Sequence, residues 1–501
     1  MSITNNNNTF TALLFCLLTT LLTACGHSEK HPVKQPSDIV GSRIGVQLGT
    51  TSDLRVSAYE NDSSGTQVER FTKTADAIQA LLQGKLDCII EDELPAQAFV
   101  KQNPQLSILP QTFSTDRYAF CVGKENTRLL AQLNHALEQL DNSGALDTIM
   151  DRHVRQGLPV AYLPKNVART NGTLVVATNA TYKPYEYYDN GRVVGIDVDV
   201  MQAICDLLGM NLKMEDMNFD AVITSVQTGK AQVGASGLTV TAERKKNVLF
   251  TRPYSECRQV VIVLNEKQGL KGMSMMEKFK TDFLVDSHYM YLLQGLGNTL
   301  VITFFAIILS LLLGSFIAIV RATHDQQGKL PLLNALCQIY LTIIRGTPTM
   351  VQLLIIYYVV FAAADISKVA VAIVAFGLNS AAYLAEVVRS GIMSVPRGQM
   401  EAGRSLGLSY AKTMRLIILP QAYKNVMPAI GNELITLLKE TSISGYIGLV
   451  DLTKGSDIIR SITYDALLPL GVVACIYLAI VMALQTGVNH MEHRLRKSER
   501  R

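Results

Sequence analysis

The pattern of apolar and polar positions changes once along the chain. Up to about Lys280, short apolar runs such as the one in "DIVGSRIGVQLGTTS" alternate with amphipathic stretches of helical length such as "AIQALLQGKL". Strands that alternate with helices in this way predict parallel α/β lobes. From about Gln294 onward, long apolar runs dominate the sequence.

The apolar second part has stretches long enough to span a membrane, since a bilayer core needs about 20 apolar residues per helix. We predict spans at about 295–320, 334–363, 367–390, 414–437 and 464–487. Arg and Lys residues cluster after the first span, around the loop after the third span, and in the tail "HRLRKSERR". Basic loops face the cytoplasm, so these segments are predicted to be cytoplasmic and the α/β part extracytoplasmic.

The first residues have the features of an export signal. The stretch "FTALLFCLLTTLLTACG" has an apolar core of signal-peptide length, and its end resembles the bacterial lipobox, whose cysteine is acylated. We predict a signal peptide at 1–25, lipidation at Cys25 and a polar tether at 26–37. The segment "MSITNNNNT" lacks Lys and Arg, so an uncleaved anchor helix is the alternative.

Composition excludes some partners and sites. A net charge of +4 over 501 residues is too small to indicate a nucleic-acid partner. The eight cysteines show no metal-like CxxC spacing, so we expect neither a metal site nor a disulfide framework, and no cofactor.

The chain therefore divides into an exported part, a membrane part and short connections. We assign two halves of the exported part and a membrane domain, joined by linkers and followed by a basic cytoplasmic tail. In chain order these are 38–155, linker 156–170, 171–265, linker 266–290, membrane domain 291–490 and tail 491–501.

Both exported halves resemble the periplasmic-type amino-acid-binding proteins of ABC importers, which close two α/β lobes around a ligand. In that family the pattern "SGLTVTAER" holds the ligand α-carboxylate, and a guanidinium fork suits a planar carboxylate. The resemblance implies that Thr239, Thr241 and Arg244 bind the carboxylate. It also implies that Ser236 and Leu238 offer backbone groups.

The same resemblance implies residues for the rest of the ligand. Asp92, which ends "DCIIED", corresponds to the aspartate that pairs with the ligand ammonium group. Thr50 and Thr51 of "QLGTTS" would complete the carboxylate end. Tyr182 and Tyr185 match aromatic positions that wall the side-chain pocket.

Each of these residues also has a structural interpretation. Arg244 begins "ERKK", which could be a solvated helix face, and Asp92 could cap a helix. Tyr182 and Tyr185 could be ordinary aromatic residues at strand ends. The co-occurrence of all these patterns favours a binding site.

The order of the halves differs from that of the family, in which the lobe with the "TAER"-like pattern comes first. We call residues 38–155 lobe two and residues 171–265 lobe one, after the family's order. Domain termini often lie close together, so we interpret this order as a circular permutation with one complete binding site. The alternative is an eroded tandem array in which the first half is a remnant.

The loop after the third predicted span carries the EAA signature of ABC importer permeases. Glu401, Ala402, Gly403, Gly407 and Pro420 match this signature at its full spacing. In that family the loop forms a short coupling helix on the ATPase subunit. Pro420 suits the first turn of the next helix, where no N–H is required, and Gly403 should slightly loosen the coupling helix.

Other polar residues lie in or near the predicted spans. Arg345 and Glu386 are costly in a bilayer, and we expect them to take part in gating or structural pairing.

The two resemblances together imply the receptor and permease subunit of an ABC importer for polar amino acids. The fold class is then an α/β two-lobe periplasmic-binding-protein-like domain followed by an all-α five-span permease. No "GxxxxGK[ST]" motif occurs, so we expect a separate ATPase dimer and no enzyme activity in this chain. A permease homodimer in the cell membrane is implied, with an amino acid as ligand.

The sequence also leaves an alternative function open and favours one kind of ligand. A ligand-gated channel or a transmembrane sensor with amino-acid-binding lobes is the alternative function. Asn179 occupies a position that is often an aspartate in the family, including in members that select cationic side chains, which favours a neutral ligand such as glutamine.

Overall fold

The structure is a computed structural model that describes residues 32–60, 63–265, 274–362, 364, 366–463, 465 and 467–499. The predicted signal peptide and Cys25 lie outside the described residues.

The exported part forms two α/β lobes, each built on one sheet. In lobe two, the sheet order is β2-β1-β3-β14-β4, and β5 also pairs with β14. These strands are β1 (Arg43–Gln47), β2 (Gln67–Phe71), β3 (Cys88–Asp92), β4 (Leu106–Ile108), β5 (Ser114–Tyr118) and β14 (Ser255–Leu264).

Lobe one has the sheet order β11-β7-β12-β6-β13. Its strands are β6 (Cys121–Val122), β7 (Thr173–Thr178), β11 (Asn211–Asp216), β12 (Val233–Gly234) and β13 (Leu249–Phe250). A small antiparallel sheet stands beside it, made of β8 (Thr181–Tyr182), β9 (Glu186–Asp189) and β10 (Arg192–Val194).

The chain crosses between the lobes at two places. Strand β6 follows β5 directly but pairs with β12 of lobe one, and β14 follows β13 but pairs with β3 of lobe two. The lobe boundaries in space therefore lie at 118–121 and 250–255, whereas the sequence division lies between 155 and 171. From here on, lobe two means the part that holds β1–β5 and β14, and lobe one means the part between the two crossings. The difference arises because the apolar residues Leu133 and Leu137 share a core with Leu174 of lobe one.

Helices cover both sheets. Helix α1 begins after Thr50, whose hydroxyl accepts the N–H of Asp53, and α6 ends at Gly209 with a φ of 65°. The helices are α1 (Thr51–Val56), α2 (Thr74–Leu82), α3 (Glu93–Gln102), α4 (Thr127–Asn142), α5 (Ala145–Val154), α6 (Ile196–Leu208), α7 (Phe219–Gln227) and α8 (Ala242–Lys245).

The membrane part is helical. Its helices are α9 (Met275–Phe279), α10 (Tyr289–Gln327), α11 (Pro331–Gly346), α12 (Thr349–Ile355), α13 (Lys368–Ser394), α14 (Arg397–Ser405), α15 (Tyr410–Thr413), α16 (Leu419–Glu440), α17 (Leu452–Thr463) and α18 (Leu467–Glu499). The predicted order of an α/β part followed by an all-α part is confirmed.

Fewer helices qualify as spans than the five predicted. In the described part of the chain, α10, α13 and α18 are long and apolar enough to cross a membrane. The pair Pro331–Gly346 and Thr349–Val360 qualifies together but is bent by 110°. This gives three spans, or four if the bent pair is one. Helix α16, which replaces the predicted span 414–437, does not qualify, and Lys424 and Glu433 interrupt its apolar sequence.

Glycines allow the membrane helices to approach closely. A Cβ at Gly314 of α10 would lie 2.9 Å from the backbone oxygen of Ala381 on α13, and one at Gly377 of α13 would lie 2.6 Å from a side-chain carbon of Leu309. Small residues at such crossings are typical of membrane helix packing.

Both lobes contact the same membrane-part helix, α17. Lys454 pairs with Asp216 of lobe one at 2.9 Å, and both side chains are 3% exposed. Asp457 pairs with Lys73 of lobe two at 2.6 Å, and Arg460 pairs with Asp76 of the same lobe. Because residues 454, 457 and 460 recur at helical spacing, one face of α17 bears all three contacts.

Candidate functional site

A narrow cavity lies between the two lobes and takes residues from both halves of the exported part. Seven of the sequence-predicted residues line it: Thr50, Thr51, Asp92, Tyr182, Ser236, Thr239 and Arg244. Asn179 lines it as well. The lobes are close together here, since the Arg244 guanidinium donates to the backbone oxygen of Gly49 in lobe two at 3.0 Å.

Arg244 provides a buried positive charge at one end of this cavity. Thr241 caps the short helix α8 by accepting the backbone N–H of Arg244, which fixes where the side chain starts. The guanidinium donates to the backbone oxygen of Thr239 at 2.9 Å and lies 5.5 Å from the ring centre of Phe219. None of the ion pairs among the described residues includes Arg244, and burial lowers its pKa. A ligand carboxylate would supply the missing anion.

Asp92 provides a buried negative charge in the same cavity. It ends β3, and the hydroxyls of Tyr118 and Tyr182 both donate to its Oδ2. Its other oxygen, Oδ1, is buried and has no hydrogen-bond partner in the described part of the chain. Burial raises the pKa of Asp92, and the two tyrosine hydroxyls oppose this shift. A ligand ammonium group would satisfy the free oxygen.

The hydroxyls of the Thr50–Thr51 turn are already used within the protein. The Thr50 hydroxyl donates to the backbone oxygen of Gln47 at 2.8 Å, and that of Thr51 donates to Asp116 Oδ2 at 2.9 Å. Asp116 is held in turn by Arg55 of α1 at 2.5 Å. These contacts fix the turn at the cavity wall.

Three predicted residues lie next to the cavity and are not among the residues that line it. The Tyr185 ring, 1% exposed, stands behind the binding residues and stacks on Tyr182 at 5.9 Å between ring centres. The backbone oxygen of Leu238 accepts from Ala119, and the Thr241 hydroxyl caps α8.

Sequence reasoning missed six lining residues. These are Gln47, Ser52, Glu91, Phe219, Gly237 and Gln259. Two of them could have been predicted from the sequence, since Glu91 is next to Asp92 and Gly237 lies inside "SGLT". Gln259 could not be found in this way, because β14 reaches lobe two only through the second crossing.

The predicted coupling loop forms a short exposed helix. Helix α14 holds Glu401, Ala402 and Gly403, and Gly407 ends the turn with a φ of 84°. Glu401 and Ala402 are exposed, as is Leu406 at 83%. A Cβ at Gly403 would lie 2.5 Å from a side-chain carbon of Thr413, so the glycine lets α14 pack against α15.

The loop leads back into the membrane part as predicted for Pro420, which lies in the first turn of α16. Elsewhere in the membrane part, Glu386 pairs with Arg321 at 2.8 Å and with Arg389 at 2.5 Å. Arg345 lies over the ring of Tyr383 at 5.7 Å from its centre.

The family model of bacterial extracellular solute-binding proteins, family 3, matches residues 174–467, more than half of the 501-residue chain.

The membrane part is similar to curated permeases. The probable amino-acid ABC transporter permease protein YckA of Bacillus subtilis is 37% identical over 215 residues, which are 43% of this chain and 92% of that protein. The arginine transport system permease protein ArtQ of Bacillus subtilis is 36% identical over 211 residues, 42% of this chain and 94% of its own length. The putative glutamine transport system permease protein GlnP of Rickettsia typhi is 36% identical over 197 residues, 39% of this chain and 88% of its own length.

Among solved structures, an amino acid ABC transporter crystallised with histidines is 39% identical. The match covers 42% of this chain and 98% of that chain, with a TM-score of 0.39. From the family model and the permease relatives, the chain belongs to the family 3 solute-binding proteins and to the amino-acid ABC transporter permeases, which it joins in one polypeptide.

Proposed function

We propose that this chain is the receptor and permease subunit of an ABC importer for polar amino acids, energised by a separate ATPase subunit. The observation that carries the proposal is the pair of unmatched charges in one cavity. Arg244 has no anionic partner and Asp92 Oδ1 has no donor among the described residues. An α-amino acid carries both complementary groups, and buried charges require such partners.

Within this class of ligand we favour glutamine or a similar neutral side chain. Asn179 lines the cavity with an uncharged amide, whose nitrogen donates to the backbone oxygen of Met217 at 2.8 Å. The permease relatives are named for glutamine in one case and for arginine in another.

The proposal extends to partners and topology. The exposed face of α14, which includes Glu401 and Leu406, would contact an ABC ATPase dimer, and two copies of the membrane part would form the pathway. The lobes would lie outside the cell membrane, tethered through an acylated Cys25.

Calorimetry of the full-length chain in lipid nanodiscs, titrated with the common amino acids, tests the proposal. We expect one equivalent of a polar L-amino acid to bind per chain. N-acetylglutamine is the matched control, since it keeps the carboxylate but lacks the ammonium group that Asp92 would bind. Equal binding of glutamine and N-acetylglutamine, or no binding of any amino acid, would contradict the proposal.

A further inference from the structure

The cavity has one more carboxyl group than the two ends of an amino acid can use. Its charged lining residues are Glu91, Asp92 and Arg244. In the proposed function, the ligand carboxylate pairs with Arg244 and the ligand ammonium group pairs with Asp92. Glu91 then has no assigned role.

Glu91 has few donors within the protein. Glu91 is 6% exposed, and its Oε1 accepts the backbone N–H of Asp92 at 2.8 Å. The Tyr182 oxygen lies 3.2 Å from Oε1, but this hydroxyl has one proton and lies closer to Asp92. Thr74 offers a further neutral hydroxyl.

Among the described residues, no cationic side chain pairs with Glu91. None of the ion pairs formed by residues of the described segments includes it, and burial together with the neighbouring Asp92 raises its pKa. A carboxylate can accept about four hydrogen bonds, so Glu91 has accepting capacity left where it lines the cavity.

Apart from Asp92, the polar groups near Glu91 are neutral: the Thr74 hydroxyl and the side-chain amides of Gln47 and Asn179. The Thr74 hydroxyl beside Glu91 also lies 3.4 Å from the side-chain oxygen of Gln47. The amide nitrogen of Gln47 in turn lies 3.4 Å from the side-chain oxygen of Asn179. Glu91 is thus the only carboxyl group in the set of Gln47, Thr74, Glu91 and Asn179, of which Gln47, Glu91 and Asn179 line the cavity.

Resting on the proposed function, we propose that Glu91 selects the far end of the ligand side chain. It accepts N–H groups of an amide, a guanidinium or an ammonium group, and it repels a side-chain carboxylate. Like charges brought together in a desolvated site are strongly unfavourable. A site built to pair with a polar group also discriminates against ligands that lack it, because its own group is then left unpaired.

Competition binding to the full-length chain in nanodiscs tests this selection with glutamine, arginine, glutamate and methionine. We expect glutamine, arginine or both to bind at least about 100-fold more tightly than glutamate. Glu91→Gln should weaken the preferred ligand by about tenfold or more and reduce the discrimination against glutamate by a similar factor.

Glu93→Gln is the matched control, because Glu93 pairs with Arg258 at 2.8 Å and does not line the cavity. It should leave all four affinities unchanged. A preference for glutamine identifies a neutral amide ligand, and a preference for arginine identifies a cationic one; both support the role of Glu91.

Two results would overturn the inference while leaving the proposed function intact. One is wild-type affinity for glutamate that equals the affinity for glutamine and arginine. The other is an equal loss for all four ligands in Glu91→Gln, which would indicate a purely structural residue. If none of the four ligands and no other amino acid binds, the proposed function fails as well.

Discussion

At the scale of single residues, the cavity holds two groups of opposite charge, Arg244 and Asp92. The hydrogen-bond partners described for each are neutral. Arg244 donates to two backbone oxygens, and Asp92 accepts from two tyrosine hydroxyls. The backbone oxygens do not neutralise the guanidinium of Arg244, and the tyrosine hydroxyls do not neutralise the carboxylate of Asp92. Such preorganised groups stabilise a ligand of matching charges without a rearrangement of the protein.

Replacing Arg244 tests the carboxylate end. Arg244→Ala should weaken amino-acid binding by about 2–5 kcal/mol, because the ligand carboxylate would be buried without its partner. Titration calorimetry of the full-length chain measures this loss. Arg117→Ala is the control, since Arg117 is 68% exposed and pairs with the equally exposed Glu256. Unchanged affinity in Arg244→Ala would remove Arg244 from the site.

At the scale of elements, short helices and close helix crossings decide the geometry. Helix α14 keeps an exposed face at Glu401 and packs its other side through Gly403. In the membrane part, glycines on α10 and α13 bring the backbones of the two helices together.

The exposed face of α14 carries a prediction about coupling. Glu401→Lys should leave the affinity for ligand unchanged. It should lower both the transport rate and the ligand-stimulated rate of ATP hydrolysis, because the reversed charge lies on the proposed ATPase contact. Transport into proteoliposomes with the ATPase subunit measures the effect. Glu138→Lys on α4, an exposed charge reversal on lobe one, is the control. Wild-type transport in Glu401→Lys would exclude this contact.

The helix crossing gives a second prediction at this scale. Gly314→Ala should destabilise the membrane part by roughly 1–3 kcal/mol, since the added methyl group meets the backbone of α13. Thermal unfolding in detergent measures the change. Gly297→Ala on the same helix meets no atom within 4 Å and should have little effect. Equal melting temperatures for the two variants would argue against the crossing.

The sequence predicted site residues within single helices and strands more completely than site residues that distant parts of the chain bring together. Residues in local patterns, such as Arg244 after "SGLTVTAE" and Asp92 at the end of a buried strand, were found because a few neighbouring positions define them. Gln259 was missed because β14 reaches lobe two only after the second crossing, and Tyr118 was missed because it lies 26 residues along the chain from Asp92, to which its hydroxyl donates. Three or four helices qualify as spans where five were predicted, because apolar length alone does not register the bend between α11 and α12 or the polar residues of α16.

At the scale of the whole molecule, the ligand cavity and the membrane part are joined through Asp216. Its Oδ1 accepts the backbone N–H of Ala180, next to the lining residue Asn179, and its Oδ2 pairs with Lys454 of α17. Burial alone would raise the pKa of Asp216, but Lys454 holds it below its usual value.

Breaking this pair tests the contact between the lobes and the membrane part. Lys454→Met should cost about 3–5 kcal/mol, because it leaves the buried Asp216 carboxylate unpaired. Adding Asp216→Asn should recover part of the loss, and a double-mutant cycle in thermal unfolding measures the coupling. Lys213→Met is the control, since that side chain is 51% exposed and pairs with Glu215. Strict additivity of the two changes would show that the pair does not couple the parts.

The attachment of both lobes to one helix has a consequence for the kinetics of ligand entry. Lys454, which pairs with lobe one, and Arg460, which pairs with lobe two, are six residues apart on α17, about 9 Å along an α-helix. Since a helix does not lengthen, the lobes separate fully only after one set of ion pairs has dissociated. That dissociation is a first-order step that precedes the encounter with ligand. The observed rate of binding should therefore rise with ligand concentration only to a plateau, whose height is the rate at which these ion pairs open.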